Sequence, residues 1–273
     1  QVTVLLMILP IANLSSAPLA SLLTDRIGRH RPVLATTMTT AGLLLLSMTL
    51  VPPTWLALVL VGFALAKAPT FPIADAASTR ALGDGYGPVR AVGSLGYALL
   101  VFGCGVLRET WPDAPVVLVG VLLLLSALNI GAIPVLEEPP SPSLAIWRGF
   151  VGRPATLLVL AVAFLNGLSL SVYDYLFTLS MDARGLEGWV TGAAIALGVL
   201  VEVSVLFASR VLLRRFGVKG LMVVGVGVAI PRFLGTAWID DPVLLVGLQG
   251  LHGLQFGCFW LAGLAWIEAF APA

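Results

Sequence analysis

The chain has 273 residues, 59% of them hydrophobic and 11% charged, with a formal net charge of +1. Soluble domains carry about 25% charged residues, so this chain has too little charge to coat a water-facing surface. That excludes an ordinary soluble enzyme, a disordered segment and a nucleic-acid binder, and leaves a polytopic membrane protein. Cys104 and Cys258 both fall inside apolar runs, where they suit packing better than a disulfide or a metal site, which needs clustered ligands.

The chain opens at Gln1 already inside an apolar run and closes at Ala273 just after another, so it is expected to be a piece of a longer protein. A helix needs about 20 apolar residues to cross a bilayer. Nine runs meet this in chain order: 2–23, 33–50, 55–79, 91–107, 115–134, 155–179, 189–208, 220–239 and 243–267. Continuous runs of this length favour helices over a β-barrel, whose strands would alternate in period two. The expected loops are Asp25–Arg31, Val51–Thr54, Arg80–Arg90, Arg108–Ala114, Leu136–Arg153, Ser180–Gly188, Ser209–Lys219 and Asp240–Pro242. None is long enough for a soluble domain.

Lys and Arg set the orientation. Alternate loops carry Arg26, Arg29 and Arg31, then Arg80 and Arg90, then Arg148 and Arg153, then Arg210, Arg214, Arg215 and Lys219, eleven in all. The opposite loops carry only Arg108 and Arg184. The first side is therefore cytoplasmic, and the clean alternation supports nine spans. The longest connection, 135–154, is rich in proline and acid and reads as a cytoplasmic linker. It divides the chain into an N-terminal part, 1–134, and a C-terminal part, 155–273.

Asp25-Arg26-Ile27-Gly28-Arg29-His30-Arg31 follows the first span, and Arg210 to Lys219, with Gly217 at its centre, follows the seventh. Both loops are basic, and their glycines lie 189 residues apart (217 minus 28). That spacing fits a duplication of six-helix halves; a plain positive-inside bias of any cytoplasmic loop is the alternative.

The D-R-x-G-R-x-R loop resembles the signature of the major facilitator superfamily. A second stretch, Pro72-Ile-Ala-Asp75 and then Tyr86-Gly87-Pro-Val-Arg90-Ala-Val-Gly93-Ser94-Leu-Gly96-Tyr97, resembles the branch that holds lactose permease, nucleoside symporters and phenylpropionate permeases. So do Glu202, Pro231-Arg232-Phe233 and Leu251-His252-Gly253, with the phenylpropionate permease-like group the most similar. The resemblance covers essentially the whole chain. It implies an all-α integral membrane protein of the major facilitator fold, with nine transmembrane helices (family helices 2 to 10) of an expected twelve in two pseudo-symmetric six-helix halves.

Ionisable groups inside a membrane are costly and usually face a bundle interior or a water-filled path. Asp75, Asp174, Glu202, Arg232, His252 and Lys67 are of this kind. Asp75 and Arg90 flank a short hairpin; the resemblance implies a solute-binding carboxylate and guanidinium, against a structural ion pair or a positive-inside anchor. Glu202, Arg232 and His252 match residues that contribute to sugar binding and proton coupling in lactose permease, against a static polar cluster. Asn166, Tyr173 and Asp174 stand at i, i+7 and i+8, on one helix face, where they either line a cavity or bond neighbouring helices. Solute-binding residues are thus expected at Asp75, Arg90, Glu202, Asn166 and Tyr173, and a charge network at Asp174, Glu202, Arg232 and His252. Asp25, Arg26, Gly28 and Arg29 form an expected gating loop. Tyr97, Phe256 and Trp260 are candidate apolar walls, and small-residue runs on the fourth span (Gly93, Gly96, Gly103, Gly105) and the ninth (Gly247, Gly250, Gly253, Gly257) mark close helix packing.

The family pattern is not fully kept. Gln255 stands where lactose permease has a proton-releasing glutamate, Gln249 where it has a lysine, and Phe177 where a second acid would pair with that lysine. Proton coupling, if kept, then falls to Glu202 or Asp75. No H-E-x-x-H or G-x-S-x-G motif is present, and no enzyme activity, cofactor or metal is implied. The expected partners are a small organic solute (sugar, nucleoside or aromatic acid), a proton and the lipid bilayer. No oligomerisation signal stands out, so a monomer is expected. Thirteen Arg against two Lys fits a high-GC bacterial source and an inner-membrane location.

Overall fold

A computed structural model describes residues 8–82, 86–132 and 149–270. Within those residues all nine apolar runs are helical, and no strand occurs. The helices are α1 (Ile8–Ile27), α2 (His30–Ser47), α3 (Pro53–Lys67), α4 (Thr70–Leu82), α5 (Tyr86–Leu107), α6 (Ala114–Asn129, continued by a 3-10 turn, Ile130–Ala132), α7 (Pro154–Ala183), α8 (Gly188–Phe207), α9 (Ser209–Gly227), α10 (Ala229–Trp238), α11 (Pro242–Leu248) and α12 (Gly250–Phe270). Proline opens α3, α7 and α11, where its missing N–H would have no helical partner anyway. Asp241 caps α11, its carboxylate accepting the Leu244 N–H at 2.8 Å.

Three expected spans are interrupted. The third breaks between Lys67 and Thr70, the eighth at Val228 and the ninth at Gln249. Among the described residues, seven stretches are long and apolar enough by themselves to cross a membrane: Pro53–Leu82, Val89–Leu107, Ala114–Ala132, Pro154–Ala183, Gly188–Phe207, Ser209–Trp238 and Pro242–Ile267. The helices α1 and α2 fall short because hydroxyl and charged residues dilute them, among them Ser15, Ser16, Thr24 and Arg26 in α1 and His30, Arg31, Thr36 and Thr37 in α2.

The expected loop at Ser209–Lys219 is mostly helix. It turns at Gly217, whose φ of 64° lies in the left-handed region that favours glycine. Gly28, between α1 and α2, has the same φ of 64°. The two glycines noted for their spacing thus share one backbone conformation, as a structural repeat requires.

The chain forms two compact units, residues 1–86 with 110–141, and 87–109 with 142–273. In the first, α2 crosses α6 where Gly42 and Gly120 meet: a Cβ on Gly120 would stand 2.7 Å from the Leu46 side chain. Val33, Leu34, Ile73 and Ile130 form its core. In the second unit α12 packs along α8 and α9. One core cluster there holds Tyr173, Phe177, Met181, Ala194 and Leu245, and another holds Val205, Leu221, Cys258, Leu261 and Ala262. The helix α5 groups with this second unit although it precedes the linker in sequence. Residues 135–148 of that linker lie outside the described residues.

Candidate functional site

Most of the intramembrane polar residues assemble within the second unit. Arg232 sits on α10, a ten-residue helix that starts after the break at Val228 and contains Pro231. It is 1% exposed. Its Nη1 donates to His252 Nδ1 of α12 at 2.6 Å. A guanidinium cannot accept, so His252 is neutral and carries its proton on Nε2. The guanidinium carbon also stands 4.6 Å from the Tyr173 ring centre and 4.5 Å from that of Phe233, a desolvated cation–π arrangement. The His252 ring stacks on Tyr173, centroids 4.4 Å apart. Arg232 Nη2 and the Tyr173 hydroxyl have no hydrogen-bond partner among the described residues.

The same stack continues along α12. His252, Phe256 and Trp260 follow at four-residue spacing, with centroids 6.5 and 5.8 Å apart. The expected aromatic walls Phe256 and Trp260 are therefore joined to the expected charge network on one helix face.

Glu202, on α8, is 8% exposed and lies where α8 and α12 make their closest approach. A Cβ on Gly253 would collide with the Gly198 carbonyl oxygen and stand 2.7 Å from the Glu202 backbone nitrogen, and one on Gly257 would stand 3.5 Å from its Cα. Arg90 lies within electrostatic reach of Glu202, and Asp174 and Glu202 lie within reach of the Tyr97 hydroxyl. Asp174 also bears on Arg232 and Tyr173. Of the three residues expected on one α7 face, Asn166 and Tyr173 are buried and Asp174 is exposed.

The departures from the family pattern have structural partners. Gln255 is fully buried, and its Nε2 donates to Asn166 Oδ1 at 2.9 Å and to Ser169 Oγ at 3.3 Å. Gln249, also fully buried, donates to Thr236 Oγ1 at 3.2 Å, and that hydroxyl donates to the Arg232 carbonyl. Phe177 fills an apolar core. Ser169 and Thr236 were not expected here, yet they lie three residues from Asn166 and four from Arg232, a spacing that shares a helix face.

The remaining expected residues stand elsewhere. Asp75 is half-buried on α4, in the first unit, and Lys67 is exposed at the end of α3. Arg26 is in the last turn of α1, and Gly28 and Arg29 alone form the turn, with the Gly28 N–H donating to the Thr24 carbonyl at 2.9 Å. The Asp25 backbone is helical, but its side chain lies outside the described residues. Of the glycine runs, only Gly105, Gly253 and Gly257 make close approaches; Gly93, Gly96, Gly103 and Gly247 face open space, and Gly250 has ordinary contacts.

The sequence profile described as the MFS_1 like family matches residues 1–273. An uncharacterised transporter of Bacillus subtilis (strain 168), YwbF, is 21% identical over 281 residues, covering all of this chain and 70% of that protein. Among solved structures, the nucleoside transporter NupG (D323A mutant) superposes with a TM-score of 0.78 at 19% identity, over 99% of this chain and 74% of NupG. At that identity the likeness establishes the fold.

Proposed function

Since the chain belongs to the MFS_1 like family, a multi-pass membrane protein of the major facilitator type, we propose that it is a secondary transporter. It carries a small organic solute together with a proton across a bacterial inner membrane, by alternating access. The observation that carries this reading is the cluster of Arg232, His252 and Tyr173, with the buried Glu202 on the neighbouring helix α8, inside apolar helices. A buried guanidinium and a nearly buried carboxylate are expensive in a membrane, and a lipid-facing scaffold has no use for them.

In this reading Arg90, Glu202, Asn166 and Tyr173 bind the solute, and Asp75 of the first unit is a further binding carboxylate. Asp174, Glu202, Arg232 and His252 form the charge network. Glu202 carries the proton, because Gln255 cannot titrate. Its place on the glycine seam supports this: adding or removing a charge there acts directly on the fit of α8 against α12. Asp25, Arg26, Gly28 and Arg29 act as a gate, so an Asp25 substitution slows turnover and leaves solute binding intact. The sequence halves 1–134 and 155–273 are the two moving bodies. The solute is a sugar, a nucleoside or an aromatic acid; NupG is a nucleoside transporter. No covalent bond is made or broken, and the protein works as a monomer.

The test is uptake of labelled galactosides, nucleosides and arylpropionates into proteoliposomes holding the full-length protein, with and without an imposed proton gradient. Gradient-driven accumulation that Glu202→Gln and Arg90→Ala abolish is expected. Accumulation untouched by both substitutions contradicts these assignments. A second reading, a facilitator or a solute receptor without proton coupling, is favoured by the buried amide of Gln255; solute equilibration without accumulation, or binding without flux, identifies it.

A further inference from the structure

The helix α10 carries Arg232 but has little of its own to hold it in place. It runs for ten residues, Ala229–Trp238, and Arg232 is its one buried side chain. A helix this short is marginal by itself, and no buried apolar side chain of α10 anchors it. At its start the chain breaks at Val228, and Pro231 brings no amide to the Gly227 carbonyl. At its far end the backbone becomes extended at Ile239. The Ile239 N–H donates to the Gly235 carbonyl at 2.9 Å, and the Thr236 carbonyl is the next to need a donor. Arg184, just after α7, supplies it. Its Nη2 donates to the Thr236 carbonyl at 2.7 Å and its Nη1 to the Ile239 carbonyl at 3.0 Å. A cation at a helix C-terminus also complements the partial negative charge there.

We propose that Arg184 is a positioning residue for the polar cluster. By gripping α10 at its last turn, it fixes where the Arg232 guanidinium stands against His252 and Tyr173. Its consequence for solute affinity rests on the transporter reading, in which Tyr173 binds the solute, whereas the grip itself does not. Thr236 is the point where the grip reaches Arg232. The Thr236 carbonyl takes Arg184, while its hydroxyl donates to the Arg232 carbonyl at 2.8 Å and accepts from Gln249 at 3.2 Å. One residue thus joins Arg184, the break in the ninth span and the helical turn that holds Arg232. The tolerance is small. Moving Arg232 by about 1 Å takes its 2.6 Å bond to His252 Nδ1 out of hydrogen-bond range.

Two plainer readings of Arg184 fit less well. A topological anchor has no reason to be here, because the positive-inside bias puts basic residues on the opposite side. A surface ion pair is present but weak: Asp240 Oδ1 is 3.8 Å from Nη1, and the Asp240 side chain is 95% exposed. The Arg184 side chain is 26% exposed, turned more toward the α10 carbonyls than toward water.

The experiment uses the purified full-length protein with nitrogen-15 in its imidazole rings, the His252 signals being assigned by their loss in His252→Asn. In the parent, His252 Nδ1 accepts from Arg232, so a single Nε2–H tautomer is expected. Arg184→Ala is expected to release α10 and give a mixture of both tautomers. Arg184→Lys keeps a cationic donor at the carbonyls and is expected to stay close to the parent. Arg184→Gln is read in place of the alanine variant where thermal unfolding shows that the latter is not folded. Unchanged His252 signals in the folded Arg184→Ala or Arg184→Gln protein overturn the proposal. In uptake, Arg184→Ala is expected to raise the solute KM about tenfold at a near-parent maximal rate, and to add nothing in an Arg232→Lys background. A merely structural role would raise KM equally in both backgrounds, and that result also overturns the proposal. Uptake absent from the parent refutes the transporter reading and leaves the His252 result standing.

Discussion

Arg232 Nη1 and His252 Nδ1 are 2.6 Å apart, with both groups against the face of the Tyr173 ring. The arginine can only donate, so the histidine must accept, and its protonation would set a half-buried cation against a buried one. His252 is therefore an acceptor in this state. His252→Leu takes the ring acceptor away from a buried guanidinium and is expected to cost about 1–3 kcal/mol of stability. His252→Asn, which can offer an oxygen near the Nδ1 position, is expected to recover most of that loss. Thermal unfolding of the purified full-length variants checks both.

The Gln255 amide joins α12 to α7 through Asn166 and Ser169. Gln255→Leu is expected to destabilise the protein by about 1–3 kcal/mol, since the buried Asn166 oxygen and the Ser169 hydroxyl both lose this donor. Gln255→Glu places an acid where the chain has none; in the unprotonated form it would face the Asn166 oxygen instead of donating to it. Flux in this variant is expected to fall more steeply than in the parent as pH rises. Parallel pH profiles for the two proteins would show that position 255 is isolated from the transport cycle.

Glycine substitutions separate close packing from open space. Gly253→Ala drives a methyl into the Gly198 carbonyl and the Glu202 backbone, and a loss of about 1–3 kcal/mol is expected from forcing the seam apart. Gly263, also on α12, would meet nothing within 4 Å if it carried a Cβ. Gly263→Ala is expected to raise stability by about 0.5 kcal/mol through lower chain entropy. Unfolding midpoints of the two variants should move in opposite directions.

Gly28 and Gly217 share a φ of 64° with open space around them. Only backbone strain then opposes a side chain, about 1–2 kcal/mol for alanine and less for asparagine. Equal losses in Gly28→Ala and Gly217→Ala, with partial recovery by asparagine at each, are the expected result. A loss at one site alone would separate two turns that the repeat treats as equivalent.

The helical runs were legible because hydropathy is a local property written in each of them. So were the intramembrane groups Glu202, Arg232 and His252, since an ionisable residue stands out against its apolar neighbours. The break at Gln249 was not, because that residue does not disfavour a helix strongly; the break at Val228 had a local signal in Pro231, whose ring clashes with the carbonyl four residues back. The helical character of 209–216 was hidden by its basic residues, which suit a loop and a helix equally. The grouping of α5 with α7 and α8 depends on Gly105 meeting Gly188 and Gly192, Arg108 pairing with Asp182 and Glu109 accepting from Gly188, 74 to 87 positions later (182 minus 108, 192 minus 105), and no local pattern records such a partner. For the same reason Gly93, Gly96 and Gly103 read as a packing face and turn out to border open space.

The most direct test of the central claim is solute-induced alkalinisation in de-energised cells that express the full-length protein, with the Glu202→Gln variant beside it. The account predicts a pH rise with one class of solute among galactosides, nucleosides and arylpropionates, and none in the variant. Solute counterflow without any pH rise, or a pH rise that survives Glu202→Gln, would contradict proton symport through Glu202.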